Sequence, residues 1–223
     1  MAEKQKLIIG NWKMNGLRKD LIDFGGIIQR IHQSSVNVVL APPISLMYEF
    51  SIIVRNTSIT LSGQNCHQEG MGAYTGEISP EMLKDSGASY VILGHSERRI
   101  HHGETSKIVN MKAMAAIKYG LTPIICIGED LSTYEAKATT NFIQQQLESS
   151  LTSKIINGNP IIAYEPIWAI GQKRTPKLSD IKMIHLFIRD YLYNNFGKSA
   201  LGRCKLIYGG SVNGTNVANI LSL

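Results

Sequence analysis

Cysteine is scarce in this 223-residue chain: Cys66, Cys126 and Cys204 are odd in number and widely separated, with no C-x-x-C pair. That spacing excludes a disulfide framework and a cysteine-based zinc site, and leaves buried free thiols in a reducing compartment as the expectation. Long apolar runs are missing as well. No stretch approaches the ~18 uncharged apolar residues of a membrane span. The start, MAEKQKLII, carries an apolar run too short for a signal peptide. A soluble, cytoplasmic protein with no membrane partner is expected. A strong charge excess is absent too: 23 Lys and Arg face 17 Asp and Glu, for a net charge of +6. The basic residues are scattered rather than interleaved with aromatics, which argues against a nucleic-acid partner and for mild attraction of small anions. Neither a dinucleotide fingerprint after the first strand nor a G-x-x-x-x-G-K-[ST] phosphate loop occurs.

What is present is a recurring pattern. Short apolar, β-branched runs lie at Leu7–Gly10, Val36–Ala41, Ile59–Gln64, Tyr90–Gly94, Thr122–Ile127, Ile161–Ala163 and Leu206–Tyr208. Several are unbroken rather than alternating, as in strands of a parallel sheet covered on both faces. Between them lie amphipathic stretches of helical length, among them Leu17–His32, Thr105–Tyr119, Thr133–Leu151 and Asp180–Asn195. The spacing predicts one α/β domain over residues 1–223, built either as an open doubly wound sheet or as a closed (β/α)₈ barrel.

Polar residues at the carboxyl ends of such strands have a functional prior. The first strand runs into Asn11-Trp12-Lys13, where Lys13 is either a solvated loop residue or a fixed cation for phosphate or a developing oxyanion. The fourth ends in His95-Ser96-Glu97, where Ser96 can cap the next helix and Glu97 favours its first turn. His95 would then sit beside a positive helix end that disfavours imidazolium. In the sixth strand, Glu165 interrupts an apolar run before Pro166. A carboxylate buried there costs several kcal/mol unless paired or employed, and its raised pKa suits a general base. The loop after it, PIWAIGQKRTP, places apolar residues at its tip and reads as a lid. YGGSVN after the seventh strand offers glycine backbone and Ser211 to a phosphate.

NWKMN at 11–15, GQN at 63–65, GAYTGEIS at 72–79, GHSERR at 94–99, YEPIWAIG at 164–171 and YGGSV at 208–212, in this order and at these separations, resemble the triosephosphate isomerase family. The resemblance covers essentially the whole chain. It implies a (β/α)₈ TIM barrel, here lacking the eighth βα unit, since no eighth strand follows YGGSV. It also implies interconversion of D-glyceraldehyde 3-phosphate and dihydroxyacetone phosphate through an enediolate, in glycolysis and gluconeogenesis, with no metal and no cofactor. Glu165 matches the general base, His95 the neutral electrophile, and Lys13 the cation that binds substrate. Asn11, Gly171 and Ser211 match further substrate-binding positions, with Ser96 and Glu97 behind them. Thr75 matches the tip of a loop that enters a partner subunit, so a homodimer is implied. The hinge Gln172–Pro176 departs from the family's usual small residues, which implies altered lid kinetics.

Overall fold

The computed structural model describes residues 6–22, 24–32, 36–170 and 176–223. Seven strands, β1 (Leu7–Asn11), β2 (Asn37–Ala41), β3 (Ile59–Gly63), β4 (Ala88–Leu93), β5 (Thr122–Ile127), β6 (Ile161–Tyr164) and β7 (Lys205–Tyr208), form one parallel sheet. Their spatial order follows their sequence order, β1 through β7. That order decides between the two sequence-compatible architectures. A doubly wound sheet reverses direction at a switch point, whereas sequential order curls the sheet into a barrel wall.

The wall is closed on itself except between β1 and β7, which do not pair with each other. The fold is therefore a TIM barrel lacking its eighth unit. One apolar cluster lies inside the curl, built on Ala41, Ile92, Ile124, Cys126, Ile161 and Ala163. A second and larger one lies between the sheet and the outer helices and includes Phe50, Leu93, Ile125, Leu147 and Ile188. Every strand is thus asked to be apolar on both faces, which is why the sequence shows runs rather than alternation.

Each predicted strand forms, with ends displaced by at most two residues. Two predicted helices are interrupted. The stretch 17–32 divides into Arg18–Ile22 and Gly25–His32, where two consecutive glycines weaken a continuous helix. The stretch 133–151 divides into Leu131–Glu135 and Thr139–Ser150, with Lys137 at a positive φ of 57° between them. The chain finishes in the short helix Val217–Leu221, which buries none of its residues. No helix among the described residues is long and apolar enough to cross a membrane.

Candidate active site

The carboxyl ends of β1, β4, β6 and β7 open on one cavity of about 1080 Å³, whose wall includes Asn11, Lys13, His95, Glu165 and Ser211. Residues separated by up to two hundred positions in sequence meet there because parallel strands point all their carboxyl ends the same way. Gly171 and the hinge residues 172–175 lie outside the described residues.

Lys13 reaches the site through a strained backbone. Its φ is 54°, a region a non-glycine residue enters at a cost of about 1–3 kcal/mol. Two side chains hold it there. Its N–H donates to Asn11 Oδ1 at 2.9 Å, and its carbonyl accepts from Gln64 Nε2 at 2.8 Å; the same amide group also donates to the Ala41 carbonyl. Gln64 belongs to the GQN motif, yet its spacing gave no hint that it clamps the lysine. The Lys13 ammonium then lies 2.6 Å from Glu97 Oε1. Burial pushes the Glu97 carboxyl up, but the hydrogen bond and charge of Lys13 outweigh it, so the net shift is downward.

The helix Ser96–His102 begins differently from the sequence expectation. Its cap is His95, not Ser96: the His95 Nδ1 accepts from the Glu97 N–H at 3.3 Å. Glu97 Oε2 also approaches Nδ1, at 3.5 Å, but the backbone N–H has the hydrogen-bond geometry. We assign Nδ1 as the acceptor, which leaves the ring proton of a neutral imidazole on Nε2. Ser96 turns its backbone N–H to Glu165 instead, donating to Oε2 at 3.2 Å.

Glu165 is 5 % exposed and lies at the centre of the site. Its Oε1 is 3.6 Å from His95 Nε2. Burial raises its pKa, and His95, the Cys126 thiol, the Ser96 N–H and Lys13 offset only part of that rise. Space around it is tight. A Cβ at Gly128 would fall 1.7 Å from the Glu165 carbonyl oxygen, and one at Gly209 would fall 2.7 Å from its Cγ. The glycines packed against Glu165, Gly128 on its backbone and Gly209 on its side chain, therefore come from the ends of β5 and β7. Arg99 ties the site's frame together by donating to the carbonyls of Gly94 and Cys126.

The loop after Glu165 is anchored rather than freely exposed. Its 3-10 turn Ile167–Ala169 carries Trp168, whose ring stacks on Tyr134 with centroids 4.2 Å apart. Trp168 Nε1 and Tyr164 Oη both donate to Glu129 Oε1, at 2.8 and 3.1 Å. Glu129 is fully buried, and burial raises its pKa against those two donors. Sequence reading missed it, although the signal resembles the one used for Glu165: an acid at the end of an apolar run, here one glycine beyond β5. Ser211 sits opposite, with its hydroxyl 3.5 Å from the Ala169 carbonyl.

Thr75 is exposed in a tight turn closed by the Glu77 N–H donating to the Tyr74 carbonyl, with Gly76 at φ 88°. It does not line the cavity just described. The three cysteines are free and buried. No group of three or more metal-ligating side chains occurs among the described residues.

A family model described as triosephosphate isomerase matches residues 6–223. The chain belongs to the triosephosphate isomerase family. It is an isomerase of the family that acts on triose phosphates. The triosephosphate isomerase of Xanthobacter flavus is 42% identical over 221 residues, which cover 99% of this chain and 88% of that protein. That of Afipia carboxidovorans is 42% identical over 219 residues, covering 97% and 87%. The crystal structure of triosephosphate isomerase from Bartonella henselae superposes with a TM-score of 0.90 at 38% identity, covering 98% of this chain and 88% of that one.

Proposed function

We propose that this chain interconverts D-glyceraldehyde 3-phosphate and dihydroxyacetone phosphate, with Glu165 moving a proton between adjacent carbons. The observation that carries the reading is the pairing of a buried, pKa-raised carboxylate with an imidazole nitrogen 3.6 Å away. A base that must take and return a carbon-bound proton works best near neutral pKa, and burial moves Glu165 in that direction. A neutral His95 that keeps its proton on Nε2 can donate to the substrate carbonyl and to the enediolate oxygens in turn. Lys13, held in strained backbone by Asn11 and Gln64, places a positive charge where that oxyanion develops.

The phosphate is assigned to Ser211 and the Gly209 and Gly210 backbone just beyond β7, with Gly171, outside the described residues, as a further contact that the resemblance implies. Ser96 restrains Glu165 through its N–H, so the carboxylate must exchange that contact for the substrate as it works. Loop closure over the intermediate keeps out water, which would otherwise promote loss of phosphate. The chemistry needs no cofactor, and it fits a cytoplasmic role in glycolysis and gluconeogenesis, with a link to pentose phosphate metabolism. A homodimer formed through the Thr75 loop is part of the same reading. Its support is the exposure of apolar side chains, Met71 at 78% four residues before Thr75 and Met14 at 96% next to Lys13.

The test is turnover of both triose phosphates by the purified chain beside Glu165→Gln. A general base contributes ~10²–10⁴-fold, so the variant should lose at least ~10²-fold in kcat. Equal turnover by both proteins would remove Glu165 from the reaction.

A further inference from the structure

The helix Ser96–His102 carries two adjacent arginines with different partners. Arg98 pairs with a carboxylate, its Nε lying 2.5 Å from Glu104 Oε1. The half-buried Arg99 instead donates to three neutral acceptors. They are the Gly94 carbonyl at 2.8 Å, the Ser106 hydroxyl at 3.1 Å and the Cys126 carbonyl at 3.0 Å. Burial depresses the basicity of Arg99, and the nearby Cys126, Glu104 and Glu165 offset part of that loss. A guanidinium drawn from water onto neutral partners is costly. Its geometry shows what the cost secures.

Two contacts hold His95 from both sides. The peptide before His95 turns the Gly94 carbonyl to Arg99 Nε. The peptide after it turns the His95 carbonyl to the Arg99 backbone N–H, at 3.1 Å. Those two planes define φ and ψ of His95, which are −53° and 144°. Gly94 itself turns at φ 67°, and a Cβ there would fall 2.9 Å from Arg99 Nη2. The turn into His95 is thus packed directly on the guanidinium.

A further contact reaches the strand behind Glu165. Cys126 lends its carbonyl to Arg99 Nη2, and the next carbonyl of β5, that of Ile127, accepts from the Glu165 N–H at 2.7 Å. The Cys126 thiol also acts on the Glu165 carboxyl as a hydrogen-bond partner. One planar fork therefore links the backbone of His95 to the strand that supports Glu165, and the Ser106 hydroxyl steadies its remaining arm. Arg99 is not among the residues lining the cavity, so it stands behind the site.

We propose that Arg99 is a positioning residue for the reaction, its guanidinium fixing the 3.6 Å separation of His95 Nε2 from Glu165 Oε1. The proposal rests on the assignment of those two side chains to the proton transfer. Lysine cannot replace Arg99, because an ammonium lacks the planar fork that meets acceptors on three segments at once.

The experiment compares the whole chain with Arg99→Lys, which keeps the charge, by steady-state kinetics and by nitrogen NMR of the histidine rings. kcat should fall ~10–10²-fold, on the scale of a 1 Å misplacement, while KM stays within about twofold. The His95 ring signals should shift and broaden while those of the other histidines stay in place. A general weakening of the fold would lower the folded fraction and leave the signals of folded molecules unmoved. Parental kcat in Arg99→Lys, unmoved His95 signals, or a change in KM as large as that in kcat would overturn the proposal. Should Arg99→Lys fail to fold, Ser106→Ala frees one arm of the guanidinium and should move the His95 signals to a smaller degree. Unmoved signals there would overturn the proposal as well. The spectra need no turnover, so they judge Arg99 even where Glu165→Gln matches the parent and the reaction itself is reassigned.

Discussion

The Lys13 ammonium and the Glu97 carboxylate meet at 2.6 Å across 84 residues of sequence. Both side chains are more than a third exposed, so their attraction adds at most about 1 kcal/mol to stability. The pair matters for position instead. Lys13→Ala should lower kcat/KM by ~10²–10³-fold, the usual loss on removing one preorganised group at a developing oxyanion. Glu97→Gln should leave thermal stability nearly unchanged while lowering kcat about tenfold. Steady-state kinetics and thermal unfolding on the same preparations separate the two effects, and a large stability loss in Glu97→Gln would contradict this division.

Gln64 offers a second positioning test. It caps the carbonyls of Lys13 and Ala41 together. Gln64→Ala releases the strained backbone of Lys13, so catalysis should fall at least tenfold with KM raised, because the lysine no longer meets the substrate in place. A variant with parental kinetics would mean that Asn11 alone holds the strained turn.

Titration of Glu165 acts on activity and stability with opposite signs. Its pKa is raised above 4.5 by burial. Activity should therefore fall as pH drops through that raised value, where the base becomes protonated. The folded state binds this proton more tightly than the unfolded chain does. The stability contribution is thus present below the unfolded pKa and lost as pH rises through the folded value. Glu165→Gln should gain in Tm over the parent as pH is taken from about 4 to about 8. A difference independent of pH would show that the carboxylate is not titrating against its burial. Glu129 is shifted in the same direction.

The two glycines beside Glu165 should respond differently to a methyl group. At Gly128 the clash is with backbone, at 1.7 Å, and cannot be relieved by a side-chain rotation. Gly128→Ala should destabilise the fold by ~1–3 kcal/mol as well as abolish activity. At Gly209 the clash is with the Glu165 Cγ, so Gly209→Ala should fold normally yet lose roughly 10²-fold in kcat, the scale of a 1 Å misplacement. Denaturant unfolding with kinetics on both variants checks the contrast.

Trp168→Phe keeps an aromatic ring against Tyr134 but removes one of the two donors to the buried Glu129. The expected cost is ~1–3 kcal/mol, since a buried acceptor is left less satisfied. Loop motion, followed by relaxation dispersion, should quicken at the same time. Unchanged stability would imply that water replaces the indole.

How much of this could be read from the chain alone depends on the range of the interaction. The strands were legible because burial on both faces demands unbroken apolar runs, and the Thr122–Ile127 run survives unaltered as β5. Lys13, His95 and Glu165 were legible because polar residues at the ends of such runs are anomalous. Ser96 was misassigned as a cap because a serine at a helix start usually caps it; here the His95 ring occupies that place and frees the serine N–H for Glu165.

Local pattern thus determined the element types, the motif order and the candidate residues, since each depends on neighbours within a few positions. Tertiary structure alone decided the Gln64 clamp on Lys13 and the squeeze of Gly128 and Gly209 on Glu165. These join groups from different strands, and their distances depend on how the whole sheet curls, a quantity that no window of sequence contains.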